Sequence, residues 1–307
     1  MSTWLGFRNR YRAACWTLFG GALFVFALVR LKYLDFYGAF CGSRSSGALP
    51  GECFYFLQPG LARTGMIVHL YCVLPASILA VGQFVPVVRR KAIAVHRING
   101  YACLVLGLVG SIAAFPSFRR AFGGDPAAQL ANFTLLALFV WGCIMGYWSV
   151  KGRRIRDHRA WMLRAWCYVS PNSLDISAGG IITVRILMIA FAVIISIIEG
   201  YYMAQPCDKI DFVLDGRNNT LSRYPGCEPF YSGKNLNQHV VVDANVMNIN
   251  MDLMQLVAAF NVAYPMSAWI SLSIHVIGPE LYLRMTQDGM NSYNSSTQKM
   301  YSNMKKD

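Results

Sequence analysis

A chain of 307 residues that is 55% hydrophobic and only 14% charged is not a soluble domain, in which about a quarter of residues carry charge. The formal net charge is +13. Its basic residues sit in short segments between apolar runs rather than on a folded polar face, which argues against nucleic acid and for a lipid bilayer as the partner.

In chain order, Arg8, Arg10 and Arg12 precede an apolar run at 13–31. That run is too long for a signal-peptide core and no small-residue cleavage site follows, so it reads as a retained first membrane helix. Further runs of spanning length, about 20 residues, lie at 65–88, 98–118, 129–149 and 255–278. Residues 181–199 qualify despite Arg185. Residues 158–180 begin as a helix, then meet Ser170, Pro171, Asn172, Ser173 and Asp175. Proline with polar neighbours breaks a helix, so this stretch is expected to be interfacial or the kinked lower half of the helix that follows.

The charge pattern selects a count. With one crossing between 158 and 199, one side carries 17 Lys and Arg over residues 1–12, 89–97, 150–164 and 279–307. The other carries 9 over the longer 32–64, 119–128 and 200–254. The basic side is cytoplasmic. The expectation is an all-α polytopic bundle of about six helices (seven if residues 158–180 span) with both termini cytoplasmic. A membrane domain over 13–283 includes the outer loop 200–254. A cytoplasmic segment 1–12 precedes it and a disordered tail 284–307 follows.

Cysteines agree with that topology. Cys41, Cys53, Cys207 and Cys227 fall in outer loops and none falls in an inner loop, as expected of a secretory-pathway or plasma-membrane protein. Disulfides are expected among the four, most simply Cys207–Cys227 and Cys41–Cys53, although three pairings exist. Asn218 heads a sequon in the large outer loop and is the expected glycosylation site. Asn132-Phe133-Thr134 and Asn294-Ser295-Ser296 match too, but lie against a membrane helix and in the inner tail. Val240-Val241-Val242 reads as a short strand, and the outer loops as a cap without a core of its own.

No GxGxxG, Walker, GxSxG, HExxH or CxxC signature occurs. The chemistry-bearing candidates are polar groups in or against the membrane, which are costly there and functional by default. His69 lies near the outer end of the second helix and Gln83 near its inner end. His96-Arg97 and His158-Arg159 each open a helix after a basic elbow, Arg164 follows, and His275 and Glu280 lie near the inner end of the last helix. His96, His158 and His275 with Gln83 and Glu280 form a candidate metal, haem or proton site. The bland alternatives are snorkelling of the His-Arg pairs to headgroups and a hydrogen-bonded core histidine at 69.

The segment His69 … Gly82-Gln83-Phe84 … Arg89-Arg90 … His96-Arg97 … Gly100-Tyr101 resembles the predicted membrane proteins grouped as domain of unknown function 2306. Asp157-His158-Arg159-Ala160-Trp161-Met162-Leu163-Arg164 is the most specific part of the likeness. Tyr224-Pro225-Gly226-Cys227 and His275-Val276-Ile277-Gly278-Pro279-Glu280 look like its fungal members, and the resemblance covers about residues 60–285. It implies a helical membrane bundle and no established activity, so no catalytic residue is carried over. One departure is that the family pattern runs as a single helix from the His-Arg pair through Arg185, which Ser170 to Asp175 interrupt here.

The reading that follows is a non-enzymatic, accessory or transporter-like membrane protein handling a lipophilic small molecule, for example in a biosynthetic pathway. The alternative is a haem-binding redox protein reminiscent of b561-type bundles, which need facing axial histidines. A third reading is a metal-dependent membrane enzyme using His96, His158, His275 and Glu280.

Overall fold

In a computed structural model the described residues are 6–7, 13–14, 16–42, 47–49, 51–168, 178–248 and 252–304. Arg8, Arg10, Arg12, Cys15 and the interruption from Ser170 to Asp175 lie outside them.

The first span, Trp16–Leu34, has α1 (Gly21–Arg30) as its regular part. After α2 (Glu52–Leu57) come α3 (Leu61–Gln83), the short α4 (Pro86–Lys91) and α5 (Ile93–Ala113). Next are α6 (Pro126–Lys151), α7 (Ile155–Tyr168) and α8 (Ala178–Ile198). Strand β1 (Tyr202–Pro206) leads into α9 (Cys207–Leu214), α10 (Arg217–Arg223) and α11 (Glu228–Tyr231). Strand β2 (His239–Asp243) pairs antiparallel with β1, and α12 (Leu253–Met304) closes the chain.

Five of the described helices are long and apolar enough to cross a membrane: Trp16–Leu34, Leu61–Gln83, Ile93–Ser117, Pro126–Lys151 and Leu253–Met285; Thr183–Ile198 is a shorter apolar helix. Contacts at the two ends show how they alternate. At the basic end, the Arg90 guanidinium donates to Gly6 O, and Trp16 Nε1 donates to Val81 O at 3.3 Å near the end of α3. The first span therefore starts beside the end of α3. At the cap end, Tyr71 donates to Leu34 O at 3.0 Å, and Tyr33 packs with Phe40, Phe56 and Met66. Phe122 N–H donates to Glu52 at 3.1 Å, which brings the α5–α6 connection into the same cap.

The stretch 155–198 holds two described helices, α7 and α8. Helix α7 leaves the basic end antiparallel to α6, packed lengthwise against it rather than lying across the bundle end. Glycines allow this close approach: a Cβ on Gly142 would stand 2.9 Å from Ala165 Cβ. Helix α8 finishes at the cap, where Ser196 Oγ accepts Val246 N–H at 2.9 Å. The expected break within 158–180 falls largely outside the described residues. Helix α12 then returns to the basic end.

Local sequence explains the sharp starts. Asp125 caps α6 by accepting Ala127 N–H at 2.8 Å and Ala128 N–H at 3.3 Å, with Pro126 at the first helical position, where its missing N–H costs nothing.

The cap shares its interior with the bundle, as a loop too small for its own core must. Cys207, Ile210, Val213, Cys227 and Val242 form one buried cluster with Val184, Met188, Ala192, Ala258, Ala263 and Ala268. Strand β2 matches the expected run of valines; its partner β1 and the short cap helices were not expected. The backbone of α12 is helical to Met304, where the sequence reading expects a disordered tail. Beyond Pro279, residues 280–304 contain a single glycine and no proline to stop a helix.

Candidate functional site

Gln83 ends α3, His96 lies in the first turn of α5, and His158 lies in the first turn of α7. All three are at the basic end. His96 is within electrostatic reach of both His158 and Arg89. Helices α3 and α5 are joined there by Asn99, whose Nδ2 donates to Leu79 O at 3.0 Å. A Cβ on Gly100 would lie 3.3 Å from Gln83 Oε1, so glycine lets the Gln83 amide lie against α5.

Gln83 Nε2 and His96 Nδ1 are both buried with no hydrogen-bond partner among the described residues. An unmatched buried polar atom costs about 1–3 kcal/mol, so two at this end of the bundle ask for a ligand oxygen or an ordered water. His158 differs. Its Nδ1 lies 2.9 Å from Gly146 O. That contact fixes the proton on Nδ1 and leaves Nε2 as an acceptor. Arg97 is exposed beside His96, and Arg159 follows His158 in the opening turn of α7.

The other sequence candidates lie apart. His69 is buried toward the cap end with Nδ1 2.9 Å from Gly110 O, the hydrogen-bonded core arrangement. His275 Nδ1 lies 2.7 Å from Ser271 O on its own helix. Glu280 and Arg164 form a two-point ion pair, Nε to Oε1 at 2.5 Å and Nη2 to Oε2 at 2.9 Å, and Arg164 also lies over the Trp161 ring. Glu280 is thus engaged by a cation. Among the described residues His96, His158, His275 and Glu280 do not gather into a metal-holding group.

In the cap, the disulfides are Cys41–Cys53 and Cys207–Cys227, with Cα atoms 5.5 and 5.6 Å apart. They are the simplest of the three pairings. Asn218 is exposed on α10. Asn132, of the sequon inside α6, is buried and its Oδ1 accepts the Tyr264 hydroxyl at 2.8 Å.

Sequence reasoning missed one polar cluster, Glu52, Tyr55 and Lys209. Lys209 is wholly buried and Glu52 is 6% exposed. Lys209 and Arg120 each place their charge 5.4 Å from the Tyr55 ring centroid. Burial pushes the Glu52 carboxyl up to about 7, against the opposing pull of Lys209 and the Phe122 hydrogen bond. Burial also lowers Lys209, which Glu52 and Asp208 partly offset. Burial with nearby Glu52 and Asp208 pushes Tyr55 up to about 12. The only signal in the sequence is position: Glu52 adjoins Cys53, and Lys209 is two residues from Cys207.

Residues 66–205 match the family described as "Predicted membrane protein (DUF2306)". That segment holds Gln83, His96, His158 and Arg164. Along most of its length the chain is also similar to "Ava biosynthesis cluster protein G" of Aspergillus versicolor, 24% identical over 314 residues, covering 91% of this chain and 90% of that protein. No solved structure matches the chain.

Proposed function

We propose that this multi-pass membrane bundle, whose central segment matches DUF2306, is a non-enzymatic accessory component of a small-molecule biosynthetic pathway. It binds a lipophilic molecule through an oxygen function at the basic end. The observation that carries the reading is the pair of buried nitrogens, Gln83 Nε2 on α3 and His96 Nδ1 on α5, without a hydrogen-bond partner among the described residues. A hydroxyl or carbonyl oxygen satisfies them, and the lipid-facing helix surfaces suit an apolar body. The name of the Aspergillus versicolor relative supports the pathway assignment.

The bilayer is the main partner, and the basic end faces the cytoplasm by the charge rule. The cysteine-bearing cap then lies in the lumen of the secretory pathway or outside the cell, where disulfides persist and Asn218 is open to glycosylation.

The test is mass spectrometry of lipophilic molecules that copurify with the protein in mild detergent. A molecule retained by the wild type and lost from the H96Q/H158Q double variant, with expression and glycosylation intact, supports the site. Equal retention by both removes it, because headgroup anchoring needs polarity and not a ring nitrogen.

A haem-bearing redox bundle is the second reading, and one observation favours it. His158 holds Nδ1 against a backbone carbonyl, the arrangement that presents Nε2 to a metal. A Soret band from protein purified with haem supplied during expression, lost in H158Q, selects this reading.

A further inference from the structure

The junction between cap and bundle, at the opposite end from Gln83 and His96, holds a second set of unmatched polar groups. Lys209, Gln205 and Asn261 are 0%, 2% and 4% exposed. Lys209 Nζ, Gln205 Nε2 and Asn261 Nδ2 are each buried without a hydrogen-bond partner among the described residues. All three are donors.

They belong to one contiguous region. A Cβ on Gly51 would stand 2.8 Å from Lys209 Cε, 3.5 Å from its Nζ and 3.4 Å from Val257 Cγ1. Val257 is one helical turn before Asn261. A Cβ on Gly123 would stand 3.0 Å from Asn261 Cβ and would also meet the Met203 methyl. Gln205 shares the inward face of β1 with Met203. Gly51 and Gly123 both have φ of +82°, a conformation natural to glycine, and they pack directly on Lys209 and on Met203 and Asn261. The surroundings are apolar: Phe122, Tyr264, Met254 and Ile210 are buried there.

We infer that this junction binds the carboxylate of a small apolar acid, held by Lys209 with Gln205 and Asn261, in competition with Glu52. Three unmatched donors beside one carboxylate leave a deficit of acceptors, and the buried ammonium sets the preferred charge. Glu52 already uses Oε1 to accept Phe122 N–H. The charged and titratable groups around Glu52 are Lys209 and Asp208 on α9, Arg120 in the α5–α6 connection, Tyr55 on its own helix and Tyr264 on α12. Glu52 ionises near pH 7. Below that pH it is neutral and no longer compensates Lys209, so a ligand carboxylate takes over that role. Above it, the two carboxylates compete. Affinity for an acid therefore falls with rising pH, by about tenfold per unit once Glu52 is ionised.

The test is calorimetric titration of the purified full-length protein with benzoate at pH 6 and pH 8, with benzyl alcohol as the uncharged control. The expected results are wild-type binding of benzoate at pH 6 and roughly tenfold weaker binding at pH 8. E52Q keeps the oxygen that accepts Phe122 N–H and removes the competing carboxylate, so at pH 6 it should bind benzoate at least as well as the wild type. K209M, shown to be folded by circular dichroism and intact disulfides, should not bind. If K209M does not fold, N261L carries that arm and must weaken benzoate binding. Benzyl alcohol binding as well as benzoate, tighter wild-type binding at pH 8, retained binding in folded K209M or unweakened binding in N261L would each overturn the proposal. So would absence of benzoate binding to both wild type and E52Q at pH 6.

Discussion

Phe122 lies flat on Tyr264, with ring centroids 3.6 Å apart and planes inclined by 6°. The contact pins the connection between two spans to the last helix. Phe122 holds φ at +50°, a left-handed conformation that costs a non-glycine residue roughly 1–2 kcal/mol. The stack and the Glu52 hydrogen bond to its N–H hold it there. Tyr264 also reaches Asn132 across the bundle. Removing that hydroxyl in Y264F leaves the buried Asn132 amide oxygen without its donor. The expected loss is about 1 kcal/mol, the scale of interhelical hydrogen bonds in membranes, read as a lower melting temperature in detergent. An unchanged melting temperature would mean that water replaces the hydroxyl.

The two disulfides predict a labelling pattern. In non-reduced, denatured protein, a maleimide should spare Cys41, Cys53, Cys207 and Cys227 and modify the remaining cysteines, with four more sites appearing after reduction. C207S should be the costlier single change, because it opens the 20-residue separation rather than the 12-residue one, with losses of about 2–4 kcal/mol expected for either. Labelling of all four without reduction would contradict the pairing.

Topology is checked with glycosylation reporters. One fused after Lys234 should acquire glycan and one fused after Asp307 should not. The reverse pattern would invert the bundle and place its basic elbows outside, against the charge rule.

Glu52 predicts a pH dependence of stability. Its carboxyl is raised from 4.5 to about 7 in the folded protein, so the folded state binds the proton more tightly than the unfolded chain. The associated stability is fully present below pH 4.5 and is lost as pH rises through about 7. Each unit of separation corresponds to about 1.4 kcal/mol. Wild-type melting temperature should therefore fall between pH 5 and pH 8 by more than that of E52Q, in which this group no longer titrates. Parallel pH curves for the two proteins would show that Glu52 has an ordinary value.

The architecture was legible because the membrane imposes a coarse code. Each expected span lies within several residues of an observed helix, since about 20 apolar residues have few other uses. Disulfide partners could be expected because four cysteines fell on one side. Side-chain partners were not legible in that way. Arg164 was identified as a candidate without a partner in view, because Glu280 is 116 residues distant. Lys209 and Glu52 lie in polar loops where a charged residue is expected to be solvated, and nothing in composition or spacing reveals that the fold buries them. His96 and Gln83 were identified as candidates by depth, whereas their shared lack of partners is a property of the packed helices.

Helix α7 has a consequence for biogenesis. It carries His158, Arg159 and Arg164 on one helix, and charged groups insert into lipid only at a cost. Lipid alone gives such a segment little reason to insert. Its support comes from the glycine face of α6, made just before it, and from Glu280, made 116 residues later. The nascent chain must therefore hold α7 at the membrane surface or in the protein-lined channel of the insertion machinery until the final span emerges. A truncation anywhere between them should leave the middle of the protein unassembled, and membrane quality control would meet it as an exposed basic helix rather than as a shortened tail.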